Sequence, residues 1–163
     1  MYTCWIAWNQ APSRIWCEPW APRTKSGLVR ALGATYHAGS VKKIGIKPDA
    51  IIECTGVGQV IADSIQMIGS GGTVCLTGVG HGGVVTADAT ADIAASAVLN
   101  NNVIVGSVNA NKRQWYRAGT ILARADRKWL SRLITRCEKP DNFQQALERK
   151  PDDIKVVIQF SEV

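Results

Sequence analysis

Two glycine-rich turns, each directly after an apolar run, hold the residues best placed to do chemistry. Gly56-Val57-Gly58-Gln59-Val60-Ile61 follows the run PDAIIEC and opens a helical pattern. The spacing comes close to G-x-G-x-x-G, in which glycines let the backbone approach a pyrophosphate at a helix N-terminus. Two features speak against phosphate binding here. Ile61 stands where the third glycine belongs, and no Asp or Glu ends the next apolar run to hold a ribose diol, because TVCLTGVGHGG continues in glycines. This turn therefore reads as an ordinary strand-to-helix connection. The second stretch, Gly78-Val79-Gly80-His81-Gly82-Gly83, follows the run TVCLTGV. Ligands of open α/β sheets lie beyond the carboxyl ends of the strands. Three such ends, Thr55–Gly56, Thr77–Val79 and Ser107–Asn109, are predicted to stand in register and line one crevice.

Other chemistries find few residues to use. His37 and His81 are the only histidines, and neither has a partner at metal-ligand spacing, whereas a catalytic zinc takes three protein ligands. His37 falls at a predicted strand end. No G-x-S-x-G elbow occurs, and no Cys–His pair presents itself as nucleophile and base.

Regular elements must hold those turns in place. Ser26 is a candidate cap for a short helix, GLVRAL, which Gly33 ends, and ATYH is a short strand. The runs 48–54, 73–79 and 102–108 read as buried parallel strands, with pairing expected near 50–54, 73–77 and 102–106. Between them lie GQVIADSIQMIG, with Ile61, Ile65 and Ile68 on one face, and the Ala-rich ADATADIAASAVLNN. Strand–helix alternation with short glycine joints predicts an α/β fold with an open, doubly wound parallel sheet, or half of one. After Asn111 the pattern changes. WYRAGTILARA is helical, Asp126 is a cap for RKWLSRLITR, and Asp141 is a cap for NFQQALER. The last run, DIKVVIQF, alternates Ile154, Val156, Ile158 and Phe160 onto one face of a strand.

Residues 1–25 differ from all that follows. They hold Trp5, Trp8, Trp16 and Trp20 and show neither helical nor strand periodicity. They read as a Trp-rich leader or as an out-of-frame start joined to a genuine domain. Three regions result: 1–25, a sheet domain over 26–110, and a C-terminal segment over 111–163. Of the 163 residues 46% are apolar and 20% charged, which suits a folded soluble domain. The net charge of +6 is scattered, with no long basic run, so a dinucleotide phosphate is a more economical anionic partner than nucleic acid. Five unpaired-looking cysteines, Cys54 and Cys75 among them inside apolar runs as small buried hydrophobes, fit a reducing cytoplasm. No apolar stretch is long enough to span a membrane, and no secretory signal opens the chain.

PDAIIECTGVGQVIADSIQMIGSGGTVCLTGVG, then VIVGSVNANKRQWYRAG and ERKPDDIKVVIQF, resemble the bacterial and archaeal glucose dehydrogenases. These form a zinc-dependent branch of the medium-chain alcohol dehydrogenase superfamily. The resemblance runs from about Gly27 to Val163, most densely at ECTGV, CLTGV, GSVNAN and PDDIK. It implies a partial Rossmann sheet whose C-terminal segment packs on the catalytic domain, and hydride transfer from glucose to NAD or NADP. It implies further that Leu76, Thr77, Gly78 and Val79, with Ser107, Val108 and Asn109, line the nicotinamide end of the cofactor crevice. Asn109 is then also placed to touch the sugar, and Lys150 approaches the cofactor from the catalytic-domain side. The family's zinc ligands and first glycine fingerprint precede the matching stretch and have no counterpart in this sequence. Weak cofactor binding, no zinc site and no turnover by these residues alone are the expectations. A different expectation is a non-catalytic interaction module, whose sheet, lacking its first strands, pairs through an open edge with a second copy or with an intact dehydrogenase subunit.

Overall fold

The computed structural model describes residues 5–8, 14–18, 26–80, 87–148 and 150–161, and gives 5–8, 14–18 and 87–89 as backbone only. Expectations for Cys4, Trp20, His81, Gly82 and Gly83 lie outside the described residues. The chain divides into two compact units, Met1–Asn109 and Ala110–Val163.

The first unit is built on a six-stranded sheet. Its elements are β1 (Trp5–Trp8), β2 (Arg14–Glu18), α1 (Ser26–Ala31), β3 (Thr35–Ala38), a 3-10 turn (Val41–Lys43), β4 (Ala50–Glu53), α2 (Gly58–Met67), β5 (Thr73–Leu76), α3 (Ala87–Leu99) and β6 (Val103–Gly106). The strand order is β3-β2-β1-β4-β5-β6. β4, β5 and β6 pair in parallel, Ile51 facing Val74 and Val74 facing Ile104, as their apolar runs and helical connections predict. β2 and β3 are also parallel, joined through α1. That helix stops at Gly33, whose φ of +72° is the left-handed conformation that suits glycine after a helix end. Ser26 is the first helical residue rather than the one before it.

Two expectations are overturned in this unit. Residues 1–25 are not without strands, because β1 and β2 occupy the middle of the sheet. β1 runs antiparallel to both neighbours, Trp5 facing Cys17 on one side and Glu53 on the other. Local periodicity could not reveal it, since its register is set by distant partners. The open edges are consequently β3 and β6, not the place where the first strands were thought missing. Secondly, the strands are not uniformly buried. Ile51 and Val74 are 1% and 0% exposed, whereas Ile52 and all of Val103, Ile104 and Val105 are exposed. One face of β4 is covered and β6 is an uncovered edge, which an apolar run by itself does not distinguish from a central strand. Cys54 and Cys75 are accordingly only half-buried. The α2 face read from the sequence does turn inward, Ile65 and Ile68 joining the core cluster and Ile61 packing against it. Val60, Ser64 and Ile65 are buried on it, with Ile68 just past its end, while Ile61 is half-buried. Val41, Ile51, Val60, Ile65, Ile68 and Val74 form the core cluster, each worth about 1.5–3 kcal/mol on burial.

The second unit holds α4 (Lys112–Arg124), α5 (Arg127–Ser131), β7 (Ile134–Glu138), a 3-10 turn (Pro140–Asn142), α6 (Phe143–Leu147) and β8 (Lys155–Ile158). Asn111 and Gln114 close a reciprocal cap on α4, and Asp126 accepts from the Lys128 N–H at 2.8 Å, as its N-cap role predicts. The helix after Asp126 is short, however, and ITRCE is a strand parallel to β8 rather than its continuation. Asp141 lies inside the 3-10 turn, and α6 begins after Asn142 without a side-chain cap. Along the last strand Val156, Val157 and Ile158 are all half-buried while Ile154 and Phe160 are exposed, so burial does not follow the expected alternation. No helix among the described residues is long and apolar enough to cross a membrane.

Candidate functional site

The carboxyl ends of β4, β5 and β6 come out side by side, and hydrogen bonds fix their relative height. The Glu53 carbonyl accepts the Thr77 N–H at 2.8 Å and the Gly78 N–H at 3.1 Å, and the Leu76 carbonyl accepts the Ser107 N–H at 2.9 Å. The Thr77 hydroxyl lies 3.0 Å from the Glu53 carbonyl and 3.1 Å from Cys54 Sγ, so its single proton is shared between them. Thr55–Gly56, Thr77–Val79 and Ser107–Asn109 thus stand at one edge of one sheet. Val79 and Val108 are 78% and 80% exposed there, large apolar side chains held in solvent. Ser107 and Asn109 are exposed beside them.

Glu53, which the sequence reading passed over as one residue of a strand, organises the turn between β4 and α2. Its carboxylate is fully buried. Oε1 accepts the Thr55 N–H at 2.6 Å, the Thr55 hydroxyl at 2.5 Å and the Gly56 N–H at 3.2 Å, while Oε2 accepts the Gly56 N–H at 3.1 Å. The Thr55 hydroxyl oxygen in turn accepts the Val57 N–H at 3.1 Å. Val57, the residue before α2, has no side-chain cap of its own. The amides of Thr55, Gly56 and Val57, on the approach to α2, are therefore already bonded within the turn. The glycines serve backbone packing instead. A Cβ on Gly78 would overlap Gly56 N and stand 2.6 Å from the Cys54 carbonyl carbon, and one on Gly80 would overlap the Gly56 carbonyl. The second glycine stretch lies directly against the first.

Among the sequence-derived positions, Leu76, Thr77, Gly78, Val79, Ser107, Val108 and Asn109 share this edge of the first unit. Lys150 belongs to the second unit, where its N–H donates to Asp153 Oδ2 at 2.8 Å. Asp153 also takes Arg136 Nη2 at 2.9 Å and Nε at 3.3 Å. Arg136 Nη1 reaches Glu138 Oε1 and the Gln145 carbonyl, and Nη2 the Glu148 carbonyl. The Arg136 guanidinium holds the Asp153 carboxyl below the usual carboxylate range, and Asp153, then Glu138, raise the guanidinium in return. That loop is consequently pinned at both Lys150 and Asp153. An Arg within a run of helix-forming residues carried no signal for this role.

Among the described residues no three His, Cys, Asp or Glu side chains converge, so they do not make the donor set of a catalytic zinc.

A family model described as glucose dehydrogenase C-terminus matches residues 12–160, beginning well before Gly27, where the sequence motifs start, and taking in β2. Glucose 1-dehydrogenase 1 of Caldivirga maquilingensis is 36% identical over 140 residues, covering 84% of this chain and 40% of that protein. Glucose 1-dehydrogenase of Thermoproteus tenax is 32% identical over 83% of this chain. The chain spans about 40% of the length of the curated relatives it matches. Among solved structures, Haloferax mediterranei glucose dehydrogenase in complex with NADP, Zn and gluconolactone is 28% identical, with a TM-score of 0.74 over 83% of this chain and 39% of that one.

Proposed function

The chain belongs to the glucose dehydrogenase C-terminus family, and from that premise we propose that it supplies the nicotinamide-side wall of an NAD- or NADP-dependent glucose 1-dehydrogenase. The observation that carries the reading is the juxtaposed exits of β5 and β6, with Val79 and Val108 exposed at an otherwise polar edge. Apolar side chains there give a flat nicotinamide ring something to pack on, and the fixed strand ends hold it at one height. When bound, the nicotinamide is the hydride acceptor. Leu76–Val79 and Ser107–Val108 orient it, and the Asn109 amide offers both a donor and an acceptor to a sugar hydroxyl. The Haloferax relative, by its description, binds NADP and gluconolactone, which supports this ligand class.

With the Thr55 and Gly56 amides taken by Glu53 and Ile61 in place of a third glycine, the turn offers the pyrophosphate a reduced cradle, and cofactor affinity for these residues by themselves is expected near the millimolar range, about −4 kcal/mol. Titration with NADP under amide-resolved NMR tests the reading. Shifts should concentrate at 77–79 and 107–109, and a dominant response at 56–61 would move the cofactor to the turn and refute the placement. The purified 163-residue chain should oxidise no glucose with either cofactor, with or without zinc, since the described residues provide no zinc donor set. Zinc-dependent turnover in a metal-depleted preparation would refute this.

The exposure of β6 favours a second reading, an interaction module that pairs through this edge with a second copy or an intact subunit. A concentration-independent monomer by light scattering excludes self-pairing.

A further inference from the structure

Glu53 is a fully buried acid, and among the described residues no cation pairs with it. Burying such a group is costly unless its oxygens are satisfied. Here they are satisfied by three groups from Thr55 and Gly56, all donors, at 2.5–3.2 Å. The same residue's carbonyl accepts Thr77 and Gly78 from the neighbouring strand exit. Gly78 and Gly80 in turn abut Gly56 so closely that no Cβ fits between them.

We propose that Glu53 is the positioning residue of the nicotinamide wall: its carboxylate fills the Thr55–Gly56 turn as a built-in anion, and the turn so filled is the template against which Thr77–Val79 is set. The inference rests on reading Thr77–Val79 as a cofactor contact, but its mechanical half does not need the cofactor. Concave clusters of backbone N–H groups bind anions from solution. This cluster has one supplied by its own chain, so the turn keeps its shape whether or not a nucleotide is present. The geometry also dictates what a replacement must offer. All partners are donors, so both oxygens must accept, and an amide in place of either one sets N–H against N–H.

Two variants in the full chain test this, Glu53→Gln and Glu53→Ala, each read by amide hydrogen exchange without cofactor and by NADP titration. In Glu53→Gln, protection of the Thr77 and Gly78 amides should fall about tenfold relative to core amides such as Val74, and NADP should bind about tenfold more weakly. In Glu53→Ala, added formate should restore both, while formamide, of like size but carrying donors, should not. A void-filling role would respond to both additives or to neither, and either result overturns the proposal. Unchanged Thr77 and Gly78 protection in Glu53→Gln overturns it as well. If Glu53→Ala does not fold, Glu53→Gln still decides. Failure of the cofactor reading shows differently, as a wild-type chain whose 77–79 amides ignore NADP while the exchange effects of Glu53→Gln persist.

Discussion

Replacing Gly78 by alanine adds one methyl group where there is no room for it. The built Cβ overlaps Gly56 N and comes within 2.6 and 2.8 Å of the Cys54 and Thr55 carbonyl carbons. All three contacts are backbone, in a turn that the Glu53 carboxylate holds, so no side chain can rotate away. Gly78 has no positive φ, so alanine meets no conformational penalty of its own and the cost is purely one of space. Relief requires β5's exit to swing off the turn, breaking the Thr77 and Gly78 hydrogen bonds to the Glu53 carbonyl. Overpacking of this kind costs about 1–3 kcal/mol, and each lost hydrogen bond about 1 kcal/mol more. A destabilisation of about 4 kcal/mol is expected, against a typical total stability of about 5–15 kcal/mol, with a melting temperature lower by roughly 20 °C in a unit of this size. Urea unfolding followed by far-UV circular dichroism measures it. Gly106→Ala is the control in the same sheet, because a Cβ there meets nothing within 4 Å. It should be neutral or stabilising by up to about 1 kcal/mol. A Gly78→Ala variant within 1 kcal/mol of the parent would refute the account of why these glycines are glycines.

Asp153, lowered by Arg136, stabilises the folded second unit above the ordinary carboxylate range, and that contribution disappears as pH falls through its depressed value. Asp153→Asn should therefore flatten the acid limb of the unit's stability curve, and an unaltered limb in acid titration would count against the clamp; the raised Arg136 loses its own contribution only in strong alkali. Asn109→Ala should weaken NADP or sugar binding by about 1 kcal/mol in isothermal titration, with stability unchanged because the side chain is exposed. Ile51→Val, in the core at 1% exposure, should cost about 1 kcal/mol in the same urea assay without shifting the titration pattern at 77–79.

The parallel trio β4, β5 and β6 was legible because each is an apolar run closed by glycine or proline, with a helix-length stretch between. Such runs report that a strand exists, not whether its faces are covered, and so β6 read as buried although it is an edge. β1 and β2 were invisible for a different reason. Nothing in WIAW or RIWCE alternates, and their placement depends on pairing with Ala50–Glu53 and Thr35–Ala38 far along the chain. Ile134–Arg136, the first part of β7, read as the end of a helix because Arg, Leu and Lys before them favour one, and the hydrogen bonds of Arg136 to Gln145, Glu148 and Asp153 override that preference. The three exits of the candidate crevice followed from strand order alone. Glu53 did not, although a signal was present: an acid two residues before Thr-Gly at a strand end, where the next backbone amides and the threonine hydroxyl stand ready as partners.

The lone antiparallel strand also divides the sheet into two families of strands. β3, β2 and β1 lie on one side of the junction and β4, β5 and β6 on the other, and among the described residues four pairs from Trp5–Glu53 to Trp8–Ala50 join them, as many as join each other neighbouring pair of strands. Every exit in the candidate crevice belongs to the β4–β6 trio, whose strands share one direction while β1 runs against them, so the antiparallel strand adds no carboxyl end to the crevice mouth.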